Sequence, residues 1–153
     1  MRRHLGFTLI ELMIVVAILA ILVTIGYPSY KSQIVRGYRS GGQQFLMDIA
    51  QRQEQYLLDQ RQYATILGTG AGGLNMQMPA ELTDKYNPPV FTVNNAATPP
   101  TFSLALAPLA GGPVDGDGTL LINDQQQRWR ETDGNEIYGA NDCLWEDSKC
   151  TPH

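Results

Sequence analysis

The 153-residue sequence predicts an α+β fold in which one long amino-terminal helix is followed by a C-terminal antiparallel sheet. Three observations carry this. An unbroken apolar run, Leu12 to Val23, passes into an amphipathic stretch; a glycine- and proline-rich section begins at Gly68; and short strand-like segments follow from Val90 onward. Phe7 to Tyr27 would make a helix of roughly 32 Å, long enough to cross a bilayer core of about 30 Å. Glu11 is the one formal charge within it. An unpaired charge at membrane depth costs on the order of 2.5 kcal/mol or more, so Glu11 is a candidate functional group whose partner must be sought. Cleavage between Gly6 and Phe7 would supply one, because the new ammonium group would lie about one helical turn from Glu11.

Two plainer readings fit less well. A secretory signal has an apolar core of about 7 to 15 residues followed by a small-residue cleavage site. Here the run is longer, contains Glu11 and leads into Gly26-Tyr27-Pro28-Ser29-Tyr30. A simple single-span anchor accounts for the apolar length but leaves Glu11 without a partner. The string Arg2-Arg3-His4-Leu5-Gly6, then Phe7-Thr8-Leu9-Ile10-Glu11-Leu12-Met13-Ile14-Val15-Val16-Ala17-Ile18-Leu19-Ala20, resembles the class III signal of type IV pilins and their secretion-system relatives. That resemblance implies that prepilin peptidase, a membrane enzyme, removes leader residues 1–6 after Gly6 and methylates the new terminus at Phe7. It further implies that residues 7–30 form a transmembrane and filament-core helix, with Pro28 bending it at the membrane exit. Glu11 would pair with the terminal amine of a neighbouring subunit, and residues 31–153 would form the globular head. Ala20 stands where many pilins carry a glycine.

After Tyr30 the pattern becomes amphipathic. Ile34, Tyr38, Phe45, Ile49, Tyr56 and Tyr63, widened by Leu46, Ala50 and Leu57, fall on helical faces and predict helix from Lys31 to about Gln62. Gly37, Gly41 and Gly42 each cost roughly 1 kcal/mol relative to alanine and suggest a bend or soft joint. Tyr27 to Lys31, Arg36 to Arg39 and Ala50 to Tyr56 are similar to a minor-pilin group whose relatives include DNA-uptake receptors.

Gly68 to Gly73 reads as a flexible turn region, with further reversals at Asn87-Pro88-Pro89 and Thr98-Pro99-Pro100. No preceding strand or phosphate-cradling lysine makes those glycines a nucleotide loop. Strands are expected at Val90 to Val93, Thr101 to Ala107, Thr119 to Asn123 and Arg128 to Glu131, forming an antiparallel sheet with one face on the helix. Asp115-Gly116-Asp117-Gly118 reads as a solvated turn, since a calcium loop needs more oxygen ligands and a downstream glutamate at fixed spacing.

The two cysteines, Cys143 and Cys150, lie close together, His4 falls in the leader and His153 alone cannot complete a four-ligand site, which favours one disulfide over a zinc site or free thiols. A closed ring of that size is worth roughly 2.5 kcal/mol in the loop-entropy description. A disulfide places the head in an oxidising compartment, whereas the basic residues on both sides of the span do not decide its orientation.

The formal charge of −4 becomes more negative once Arg2 and Arg3 leave with the leader, which disfavours a generic nucleic-acid surface. Arg128-Trp129-Arg130 is the one basic-aromatic cluster and the weak nucleic-acid candidate. On a strand the two arginines would share one face and Trp129 would enter the other as core. Neither His4 nor His153 falls in a helix or strand beside a plausible nucleophile, and no cofactor or catalytic set is expected.

The reading is a structural subunit, a minor pilin, of a type IV pilus. Its partners would be other pilin subunits, prepilin peptidase, the inner-membrane assembly machinery and the membrane itself. It would reside in the bacterial inner membrane with its head outside the cytoplasm, then in the extracellular pilus. The alternatives are a type II secretion pseudopilin and a pilus-displayed DNA-uptake receptor.

Overall fold

The structure, a computed structural model, describes residues 8–131 and 143–145, except for the side chains of Ile25, Gly26, Pro28 and Ser29. The chain divides into two compact units, Met1–Arg36 and Gly37–His153. Helix α1, Leu9–Gln60, contributes to both, and Pro28 lies within its span. Thr8 caps its start: the hydroxyl accepts from the Glu11 N–H at 3.3 Å, satisfying one of the donors that a first helical turn leaves orphaned. Arg61 ends the helix with a φ of 56°, its N–H still donating to the Leu57 carbonyl at 2.8 Å.

In the second unit, the predicted apolar stripe of α1 is the face that packs. Phe45, Leu46, Ile49 and Ala50 are buried, and Tyr38, Tyr56 and Leu57 are half-buried. Strands β1 (Val90–Asn94), β2 (Thr101–Leu106), β3 (Thr119–Asn123), β4 (Arg128–Glu131) and β5 (Cys143–Leu144) form one antiparallel sheet in sequence order. The first four coincide with the expected strands to within a residue. The two-residue β5 is too short to carry an alternating pattern and escaped the sequence reading. It joins the sheet through Arg130 opposite Cys143 and Trp129 opposite Leu144.

Helical geometry continues through Gly37, Gly41 and Gly42, the expected soft joint. Packing explains Gly42. A Cβ there would meet Leu120 at 3.1 Å, Tyr86 at 3.2 Å and Leu106 at 3.3 Å, so the missing side chain lets helix and sheet close together. Replacing Gly42 by valine should destabilise the head by about 1–3 kcal/mol through overpacking. At Gly37 an added Cβ meets nothing, and Gly37→Ala should stabilise by roughly 0.5–1 kcal/mol. Thermal unfolding of the detergent-solubilised chain would read both changes; equal effects at the two sites would contradict this account.

The chain leaving α1 is held by two side-chain amides. Buried Gln53 donates to the Ala64 carbonyl at 2.8 Å and accepts from the Ala64 N–H at 2.7 Å. Asn95, just after β1, accepts from the Tyr63 N–H at 2.8 Å and donates to the Tyr63 carbonyl at 3.0 Å. Gln53→Leu would retain bulk while orphaning both Ala64 groups, and should cost roughly 2–4 kcal/mol in chemical denaturation. A loss below about 0.5 kcal/mol would mean water replaces the amide freely.

Gly68 to Gly73 departs from the expected flexible turn. Thr65 N–H donates to the Gly72 carbonyl, Gly73 N–H to Gly70, Leu74 N–H to Ile66 and Asn75 N–H to Gly68, closing a compact loop.

Candidate functional site

In the first unit, the helical side chains from Leu9 to Val23 are exposed all round, with Leu9 76% and even Val15 47% accessible. A helix apolar on every side needs a covering of lipid or other helices. Among the described residues no helix is long and apolar enough to cross a membrane. Glu11 lies in the first turn, exposed, with its carboxylate making no hydrogen bond or ion pair among the described residues. A carboxylate near a helix amino terminus is also favoured by the local dipole. Gly6 and Phe7, the expected cleavage and methylation positions, lie outside the described residues, as does the side chain of Pro28.

In the second unit, the structure separates the members of the basic-aromatic cluster. Trp129 is buried beside Ala105 and Leu121. Arg130 is buried too, its Nη1 donating to Asp117 Oδ1 at 3.1 Å. Arg128 remains exposed, with its guanidinium carbon 5.9 Å from the Trp145 ring centre and Nη1 3.8 Å from the Met47 sulfur. Trp145 in turn donates from Nε1 to the Trp129 carbonyl at 2.8 Å and accepts on its own carbonyl from Gln43 at 3.3 Å.

The ion pair of Arg130 belongs to a largely buried triad. Arg39 on α1 grips Asp117 with both nitrogens, Nε to Oδ2 at 2.7 Å and Nη2 to Oδ1. The expected solvated turn at Asp115 to Gly118 therefore needs correction at Asp117, whose side chain is 9% exposed and committed to two guanidiniums. Asp115 accepts from the Gly111 N–H within its own loop. Gly118, at φ 88°, lets the loop run close against β4, since a Cβ there would collide with the Glu131 carbonyl oxygen. No local signal joins Arg39 to Asp117; the fold brings them together.

Burial pushes the Tyr86 hydroxyl up to about 12, and the Asp117 carboxylate adds to the shift. Its oxygen has no hydrogen-bond partner among the described residues. Tyr63 is likewise raised to about 12, first by burial and then by the Glu54 and Asp124 carboxylates. A native phenol with a raised pKa retains its proton after the unfolded chain, at about 10, has lost it. The native state then binds more protons, so its stability falls as pH rises from about 10 to about 12. Phenolate absorbance and circular dichroism should show late-titrating tyrosines accompanied by alkaline loss of structure; ionisation of every tyrosine near 10 in the folded protein would contradict this.

Cys143 is buried on β5 and is not a free thiol. Cys150, its expected partner, lies outside the described residues.

A long amino-terminal helix with an exposed apolar start, packed farther along against an antiparallel meander, defines the type IV pilin arrangement. Residues 28–118 match the family model described as "Type IV minor pilin ComP, DNA uptake sequence receptor". Residues 1–27 match the prokaryotic N-terminal methylation motif. The chain belongs to this type IV minor-pilin family. No match is found among curated proteins or solved structures.

Proposed function

We propose that this minor pilin is cut after Gly6, methylated on Phe7, held in the bacterial inner membrane by residues 7–30 and then assembled into a pilus. The exposed apolar helix bearing Glu11 near its start carries this reading. In the membrane, lipid covers that surface; in the filament, neighbouring helices do. Glu11 then pairs with the Phe7 amine of an adjacent subunit, a match of charges in an apolar core that is favourable only when both partners are present. Pro28 would bend the helix at the membrane exit. A Cys143–Cys150 disulfide fits a head outside the cytoplasm. Sheared filaments should contain the processed chain, whereas recovery confined to membranes under piliating conditions would contradict incorporation.

The family description favours a second role, reception of DNA during uptake. Arg52, Arg61 and Arg128 are exposed on the head, while Arg39 and Arg130 are occupied by Asp117. Direct contacts from the exposed arginines would give duplex binding by the detergent-solubilised mature protein that weakens with added salt. No retention of duplex DNA at low salt would remove this role without affecting the pilus assignment.

A further inference from the structure

The sheet face turned away from α1 is covered at Ala105, Leu121 and Trp129 but accessible at Thr92, which is exposed, and Ser103, which is half-buried. Leu104, Leu106 and Leu120 are buried, and Leu106 and Leu120 approach Gly42 of α1, so Ser103 and Leu121 project from the opposite side of their strands. There a groove of about 510 Å³ crosses β1, β2 and β3. Thr92, Ser103 and Asn123 stand in register across it, with Asn94 opposite Thr101 in the next row. Buried Trp129 forms part of its wall beside Ala105 and Leu121.

Its polar groups are arranged to receive a ligand. The hydroxyls of Thr92, Thr101 and Ser103 and the Asp124 carboxylate make no hydrogen bond among the described residues. The turn beyond β3 is already ordered: Asn123 donates to Gln127 Oε1 at 2.7 Å and accepts from the Gln127 N–H at 2.9 Å. That leaves the Gln127 NH₂ available to donate. Among the described residues neither lysine nor arginine lines the groove, and Asp124 is the one charged residue there. A phosphate-bearing ligand would meet repulsion without compensation. A neutral ligand rich in hydroxyls fits the chemistry: Asp124 accepts from adjacent hydroxyls, and Gln127 donates to an oxygen.

We propose that this groove binds a neutral carbohydrate. Arg52, Arg61 and Arg128, invoked for DNA, do not line this groove, so either role stands or falls without the other. The test uses the full mature chain in a detergent without a sugar headgroup, probed by saturation-transfer NMR with N-acetylglucosamine, galactose and mannose. The wild-type protein should bind at least one sugar with millimolar affinity. Asp124→Ala should weaken that binding roughly tenfold, the scale of a lost charged hydrogen bond, while leaving the thermal midpoint unchanged. Ser103→Trp, which fills the groove, should abolish it. No transfer to any of the three sugars at about 10 mM, equal binding by wild type and Asp124→Ala, or retained binding by folded Ser103→Trp would overturn the proposal.

Discussion

Asp117→Ala should be the most damaging single substitution in the head, lowering its stability by about 3–5 kcal/mol. The magnitude follows from what remains. Arg39 and Arg130 have side chains only 11% and 6% exposed, and both direct donors at Asp117. Removing the carboxylate leaves guanidiniums where solvation is poor and mutual repulsion is no longer offset. For a domain of this size the thermal midpoint should fall by roughly 10–20 °C. The triad need not be the most stable filling of its space. Replacing Arg39, Asp117 and Arg130 together by apolar residues of similar volume should recover much of the loss, because it removes all three desolvated charges. An Asp117→Ala variant within about 1 kcal/mol of wild type would contradict a tightly coupled triad. Equal losses in the single and triple variants would assign the effect to packing.

Glu11→Ala should abolish incorporation into filaments while leaving head stability unchanged. The carboxylate is exposed in the isolated chain, where its removal orphans no buried partner, and alanine is an excellent helix former. Its proposed role is intermolecular and follows processing, so Gly6–Phe7 cleavage should proceed normally. Comparison of membrane and sheared-filament fractions should show mature variant accumulating in the first and missing from the second. Normal incorporation would remove Glu11 from the assembly mechanism. Failure of cleavage would instead assign Glu11 to recognition by the peptidase.

The helix and most of the sheet were legible because their signals are local. Phe45, Leu46, Ile49 and Ala50 form a stripe at helical spacing, and Phe102, Leu104 and Leu106 alternate along a strand. Gln53 belonged to that stripe by position, four residues beyond Ile49, and its polarity within an apolar face was a readable sign of a buried hydrogen-bonding task. The triad had no comparable signal. Arg39 and Asp117 are 78 positions apart, and an Asp-Gly-Asp-Gly loop has the composition of any solvated turn. The Arg128–Arg130 cluster read as one basic feature in sequence, but strand alternation buries Trp129 and Asp117 claims Arg130. The candidate assembly site was legible for a different reason: a lone carboxylate stands out against an apolar run whatever the head does.

Intact-mass and amino-terminal analysis of the protein from its native membrane tests the central claim most directly. The account predicts a mature chain beginning with methylated Phe7, two hydrogens lighter than the reduced form because of the disulfide. A chain retaining Met1 to Gly6 in cells with an active processing peptidase would contradict it and indicate an ordinary membrane anchor.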